Sequence, residues 1–302
     1  SCHKLVGASG VHLLNYNSLR QKYKANELIV LMYRIRFFSS FGDSSKCKEI
    51  YERLCQVKLI PDSGENNRIY ITNDDDYTHV IILNTAMPDI SHIPKTNVIG
   101  LAFEPIQFLG LTQQFVSYAE KYIGRYLIGN KHNLPSPFTE HYGYMWHTTP
   151  LEIVPSKNKT ISLMVSDKLQ MPGHKYRHEM VKRILTENLP IDIYGRGCKM
   201  YNDYSSQLKG TFEKKEPYLD YKFHIAIENV QSNHYFSEKI TNTLLCGTTP
   251  IYLGCQNIDN YFPGSIIKLT GDIDNDIQLL KDIIQDPDRY QKNIMVDSVK
   301  DK

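Results

Sequence analysis

Apolar residues recur along this chain in short β-branched and aromatic blocks, separated by longer amphipathic stretches and by polar turns. In the first half, residues 28–38 read as a strand that ends at the turn-rich Ser39-Ser40-Phe41-Gly42-Asp43-Ser44-Ser45. A helix over about 46–57 follows, then short strands at 69–72, 80–84 and 97–103, the last running into Glu104-Pro105, and a helix near 113–122. Between about 131 and 159 the pattern dissolves into Pro, His, Tyr and the single Trp, which reads as a crossover and linker. Alternation resumes with a strand at 160–166, a helix over about 176–187 and a strand at 191–194 ending in Gly195-Arg196-Gly197. Strand–helix alternation on this scale predicts α/β architecture in two doubly wound lobes, residues 1–155 and 156–302.

The densest signal lies between Phe223 and Leu269. Phe223–Ile227 is a buried strand that stops at the polar pair Glu228-Asn229. Ser237-Glu238-Lys239 opens a helix that Gly247 terminates, and Pro250-Ile251-Tyr252-Leu253-Gly254 is the next strand. In such βαβ units, ligands bind at the carboxyl ends of strands and at helix N-termini. Glu228, Asn229, Tyr235, Glu238 and Lys239 all fall on that rim. An apparent final helix covers about 276–284.

This block closely resembles the C-terminal region of the α-1,3/4-fucosyltransferases of glycosyltransferase family 10. In that family a strand ending in Glu-Asn leads, ten residues on, to a Glu-Lys pair opening a helix; Glu228-Asn229 and Glu238-Lys239 keep that spacing, and the segments P-I-Y-L-G and F-P-G-S follow in order. The resemblance implies a GT-B-like fold, two Rossmann-like lobes with a cleft between them. It also implies an inverting transfer of L-fucose from GDP-β-L-fucose to a glycan hydroxyl, giving an α linkage, α-1,3 in type.

Such a transfer needs a base for the acceptor hydroxyl, cations for the departing diphosphate and a grip on the nucleoside. Arg177, in H-K-Y-R-H-E-M-V after the Val165-Ser166 strand end, and Lys239, in the first turn of a helix, match the family residues that contact the diphosphate. Otherwise Arg177 is a solvated residue paired with Glu179, and Lys175 is the fallback cation. By the same resemblance Glu238 takes the ribose hydroxyls, with Tyr235 and Asn229 lining the donor pocket; helix capping is the competing use of Glu238. Glu228 ranks below it, as an acid that orients backbone around the site. The base matches Glu104, at a strand end where partial burial would raise its pKa. Family members more often carry one residue between this Glu and the Pro, and here there is none.

Asp74-Asp75-Asp76 precedes an apolar strand instead of following one, so it reads as a loop and not as a metal-binding Asp-x-Asp; no metal cofactor is expected. His132, His141, His147, Tyr142, Tyr144 and Trp146 could meet an acceptor sugar, with packing of the connector as their more common use. The six cysteines have no C-x-x-C spacing, which argues against zinc, and Cys246 and Cys255 read as reduced core thiols.

With 35 basic and 33 acidic residues, the net charge of +2 makes no case for nucleic acid. Lys157-Lys159 and Lys214-Lys215 read as solvated surface. No apolar run is long enough to span a membrane, and Leu28–Met32 is too short and too deep for a signal peptide. A cytoplasmic location is therefore expected, with a Golgi-type lumenal fragment as the alternative; Asn158-Lys159-Thr160 is then an unused sequon. The chain begins at Ser1, so an anchor outside these residues stays open. Two rival readings remain: a transferase of the same fold using another GDP-sugar, and a relative that binds sugar or nucleotide without turnover.

Overall fold

The computed structural model describes residues 33–54, 68–143, 151–201, 205–213, 215–300 and 302. The chain divides into two units, Ser1–Thr149 with Asp301–Lys302, and Pro150–Lys300. In the first, strands β1 (Tyr33–Ser39), β2 (Ile69–Ile71), β3 (His79–Leu83), β4 (Val98–Leu101), β5 (Arg125–Ile128) and β6 (Phe138–Glu140) form one sheet in the order β2-β1-β3-β4-β5-β6. Every pairing in it is parallel. Helices α1 (Ser44–Leu54) and α2 (Gln113–Tyr122) accompany it. Alternate strand residues feed two cores, as the period of a pleated strand requires. Val80 and Ile82 pack with Phe115, Ala119 and Tyr126, whereas Leu83 packs with Phe37, Tyr51, Ile71 and Leu101.

The second unit contains β7 (Lys159–Met164), α3 (Pro172–Thr186), β8 (Ile191–Tyr194), β9 (Leu208–Gly210), α4 (Glu216–Leu219), β10 (Tyr221–Ile227), α5 (Glu238–Leu245), β11 (Thr249–Leu253), β12 (Ile267–Lys268), α6 (Ile273–Gln285), α7 (Pro287–Tyr290) and α8 (Val296–Lys300). Its parallel sheet runs β12-β11-β10-β7-β8-β9. The chain builds outward from β7 to β9 and then returns to lay β10 on the other side of β7. That reversal is a topological switch point, where an open parallel sheet leaves a crevice beyond its carboxyl ends. β10 is buried along almost its whole length, as expected for a strand covered on both faces. Asp276 of α6 is fully buried; it accepts hydrogen bonds from the Thr270 and Gly271 amides beyond β12 and from the Tyr176 hydroxyl of α3.

Several sequence expectations need correction. The stretch read as linker contains β6, a three-residue edge strand preceded by Pro135 and Pro137. Proline is tolerated at an edge, and its presence hid the strand. β5, β9, β12 and α4 also escaped notice because each is only two to four residues long. The helix expected to be last is followed by α7 and α8. Residues 28–32, 55–57 and 144–150, with the strand start, the helix end, Tyr144, Trp146 and His147, lie outside the described residues, as do Cys2, Cys55 and Lys214. Cys47, Cys198, Cys246 and Cys255 are free and buried. Among the described residues no helix is long and apolar enough to cross a membrane.

Lys157 is not solvated surface. Its Nζ donates to the carbonyls of Tyr218 (3.1 Å), Leu219 (2.9 Å) and Cys246 (2.9 Å) and to Thr248 Oγ1 (2.9 Å). It thus satisfies orphan carbonyls at the C-terminal ends of α4 and α5, while burial pulls its pKa down to about 8.

Candidate active site

The site grows from the carboxyl end of β10. The ladder to β11 continues one residue past the strand, because the Glu228 amide donates to the Leu253 carbonyl at 2.8 Å. The Glu228 side chain turns inward and is wholly enclosed. Its carboxylate accepts the Ser237 amide at 2.9 Å and the Ser237 hydroxyl at 2.6 Å. Ser237 immediately precedes α5, so this pair ties the helix N-terminus to the end of β10. The hydroxyl that would ordinarily cap the helix is turned to Glu228 instead.

Lys239, in the first turn of α5, is held within this arrangement. Its Nζ lies 2.9 Å from Ser237 Oγ, 3.1 Å from Glu238 Oε1 and 3.4 Å from Glu228 Oε2. Burial alone would lower its pKa, but the Glu228 and Glu238 carboxylates outweigh burial and hold it above the ordinary lysine value. Lys239 is therefore a fixed, fully charged ammonium at a helix N-terminus.

Arg177 enters from α3. Pro172 occupies the first turn of that helix, where its missing amide costs nothing. The Gly173 amide donates to the Asn229 carbonyl at 2.9 Å. A Cβ at Gly173 would fall 1.8 Å from the Glu228 carbonyl oxygen, so only glycine lets α3 come this close to the end of β10. One turn on, Arg177 is 6 % exposed. Its Nη1 donates to the Ile227 carbonyl at 2.8 Å and its Nη2 to Asn229 Oδ1 at 2.9 Å, while Nε is buried without a hydrogen-bond partner. Burial lowers its pKa, opposed by Glu228, Glu238 and Tyr235. Pairing with Glu179 does not occur, since Glu179 and Lys175 sit on the exposed face of α3.

These elements enclose a hollow of about 350 Å³, walled by Ser166 and Lys168 beyond β7, His174 and Arg177 of α3, Asn229, Glu238 and Lys239, and by Arg196 and Phe212. Four cations and one carboxylate line it. His174 adds no charge at neutral pH: burial, and then the nearby Arg177, Lys168 and Lys239, push its pKa down to about 4. Such a wall suits a polyanion with a hydroxyl-bearing group beside it.

The structure brings Arg177, Asn229, Glu238 and Lys239 together. Tyr235 is buried nearby but is not part of the hollow's wall. Glu228 is the structural acid of the site. His174, Lys168 and Arg196 were missed from sequence; the three-residue spacing of His174 and Arg177, which sets them on one helix face, was the available signal. Glu104 belongs to the first unit, beyond β4, and is exposed, so the partial burial expected of it is not found. Asp75 and Asp76 pair with Arg36 (2.6 Å) and Arg34 (2.7 Å); among the described residues no cluster of His, Cys, Asp and Glu could hold a metal ion. Tyr142 is buried with His141 against its ring, consistent with packing.

Residues 154–293 match the family described as glycosyltransferase family 10 (fucosyltransferase) C-term. An alpha-(1,3)-fucosyltransferase B from Drosophila melanogaster is 34% identical over 96 residues, covering 30% of this chain and 21% of that protein. A 4-galactosyl-N-acetylglucosaminide 3-alpha-L-fucosyltransferase 9 from Rattus norvegicus is 30% identical over 148 residues, covering 46% of this chain and 37% of its own length. The matched part thus spans well under half of these relatives. A crystal structure of an alpha1,3-fucosyltransferase with GDP-fucose aligns over 89% of this chain and 81% of that chain, with a TM-score of 0.50 and 14% identity. That likeness shows the fold, the two-sheet GT-B architecture.

Proposed function

We propose, from the match of residues 154–293 to glycosyltransferase family 10, that the protein transfers L-fucose from GDP-β-L-fucose to a glycan hydroxyl with inversion. The observation that carries the reading is the pair of hydrogen-bonded cations at the switch point, buried Arg177 and partly buried Lys239, with Glu238 beside them. In the proposed step the acceptor oxygen forms a bond to the anomeric carbon as the bond from that carbon to the diphosphate oxygen breaks. Glu104 takes the acceptor's hydroxyl proton. Arg177 and Lys239 stabilise the charge that develops on departing GDP, and being fixed beforehand they need no reorganisation. Glu238 accepts from the ribose hydroxyls, and Asn229, held by Arg177, orients the donor, with Tyr235 behind it.

We assign donor binding to residues 156–302 and acceptor binding to residues 1–155. The cations supply the neutralisation that a divalent ion gives elsewhere, so the transfer is proposed to be metal-independent, and chelation by EDTA should leave it unchanged. A cytoplasmic location accords with the buried free thiols; cell fractionation tests it, and recovery in a Golgi fraction would overturn it.

The decisive experiment incubates the protein with GDP-fucose and a panel of β-galactosides and β-N-acetylglucosaminides, N-acetyllactosamine among them. GDP release and a fucosylated product are expected. No release, together with no GDP binding by calorimetry, would sink the proposal.

A further inference from the structure

Beside Glu104 the first unit presents aromatic rings to solvent, a feature that the donor chemistry leaves unexplained. Phe41, just beyond β1, is 60% exposed, and its ring centroid lies 6.1 Å from that of Phe103, the residue before Glu104, with the planes at 37°. Phe108, after the following Pro105, is 41% exposed. The loop that displays Phe41 is braced. Its amide donates to Ser39 Oγ at 3.1 Å, Ser44 Oγ donates to the Phe37 carbonyl at 2.5 Å, and Asp43 accepts the Lys46 amide at 2.8 Å. Phe103 is fixed as firmly: its amide donates at 2.9 Å to the side chain of Asn84, which itself holds a left-handed φ of 54°. Exposed apolar side chains that adjoin one another, with polar residues at their rim, mark binding surfaces.

The chemistry of this rim selects the occupant. Phe41 is exposed and Phe103 is half-buried on the core, and nearby in the chain Ser40, Glu104 and Gln107 are exposed polar residues, so apolar rings and polar groups alternate along this rim. A pyranose has the matching form, a face of C–H bonds ringed by hydroxyls. A protein partner would call for a broader apolar surface. We propose that Phe41 and Phe103 form the platform on which the acceptor's sugar ring stacks, aligning one hydroxyl with Glu104. This deepens the transferase reading and rests on it.

Phe41, being exposed, can be changed with little effect on folding, so it is the residue to test. For Phe41→Ala, the KM for the glycan acceptor is expected to rise about tenfold or more, as for loss of an aromatic anchor. The KM for GDP-fucose and the affinity for GDP should stay unchanged, and Phe41→Trp should retain acceptor binding. An acceptor KM within about twofold of the wild type, or an equal loss of GDP affinity, would overturn the platform. Saturation-transfer NMR with the same glycan panel needs no turnover and separates the two readings. If the wild type contacts glycan through Phe41 but transfers nothing, the transferase reading fails and the platform stands. If no glycan in the panel is contacted, or if Phe41→Ala alters only self-association in sedimentation, the platform falls.

Discussion

The carboxyl ends of β10 and β4 carry chemistry in opposite ways. Beyond β10, charged groups are sunk into the fold and bonded to one another: Glu228 to Ser237, Lys239 to Glu228 and Glu238, Arg177 to Ile227 and Asn229. Beyond β4, Glu104 is exposed, and the order nearby comes from the Phe103 amide bonding to Asn84. Buried charges feel a low dielectric and act strongly on a bound anion, but each needs partners or it destabilises the fold. An exposed carboxylate exerts less force and leaves room for a large second substrate. Under the proposed transfer, the buried cations would serve the nucleotide and the exposed carboxylate the glycan acceptor.

Substitutions should separate the two ends by what else they damage. Glu104→Gln is expected to lower transfer by about 10²- to 10⁴-fold, the range of general base catalysis, while GDP affinity and melting temperature stay at wild-type values. A matching loss of GDP affinity would place Glu104 outside the role of base. Lys239→Met should cost about 10²–10³ in kcat, as for loss of one stabilising donor. Unlike the Glu104 change it should also lower the melting temperature, because it leaves the enclosed Glu228 carboxylate short of a cation, at a cost of about 3–5 kcal/mol. An unshifted melting curve would show that the buried pair contributes no stability.

A milder test is Arg177→Lys, which keeps the charge but cannot hold the Ile227 carbonyl and Asn229 together. GDP binding should weaken by about tenfold, the worth of a hydrogen bond to a charged group, and calorimetry would read it. The smallest effect concerns pH. His174 and His224 have pKa values lowered to about 4 and about 3, both chiefly by burial, so in acid the unfolded chain binds protons that the folded chain refuses. Their contribution is fully present above about pH 6.5, the ordinary histidine value, and is lost as pH falls toward 4. Melting temperatures measured from pH 7.5 to 4.5 should fall, and His174→Gln should flatten the slope.

Much of the β10 region was legible in the sequence because its information is local. Phe223–Ile227, the Glu228-Asn229 stop and the Glu238-Lys239 helix start are contiguous, and a strand–turn–helix unit folds on short-range rules. The region around Glu104 was less legible. Its setting depends on Asn84 and Phe41, from beyond the ends of β3 and β1, and on a loop geometry that periodicity does not encode. Lys157 shows the same limit: a lysine in a polar run reads as surface, yet its acceptors come from residues 218, 219, 246 and 248.

The alternation of strands and helices, the two α/β lobes and the candidacy of Arg177, Asn229, Glu238 and Lys239 could all be read from residue order. Residue type and spacing suffice for that, since they set periodicity and caps. Which charges are buried and which acid serves the fold depended on how the elements pack. That packing made Glu228 a clamp and kept Glu238 at the hollow. It carried His174 to the same wall as Arg177 and left Tyr235 out of that wall. Those outcomes follow from the reversal of strand order at β7 and β10 and the close approach of α3 at Gly173. Both are long-range packing events, and no local pattern records them.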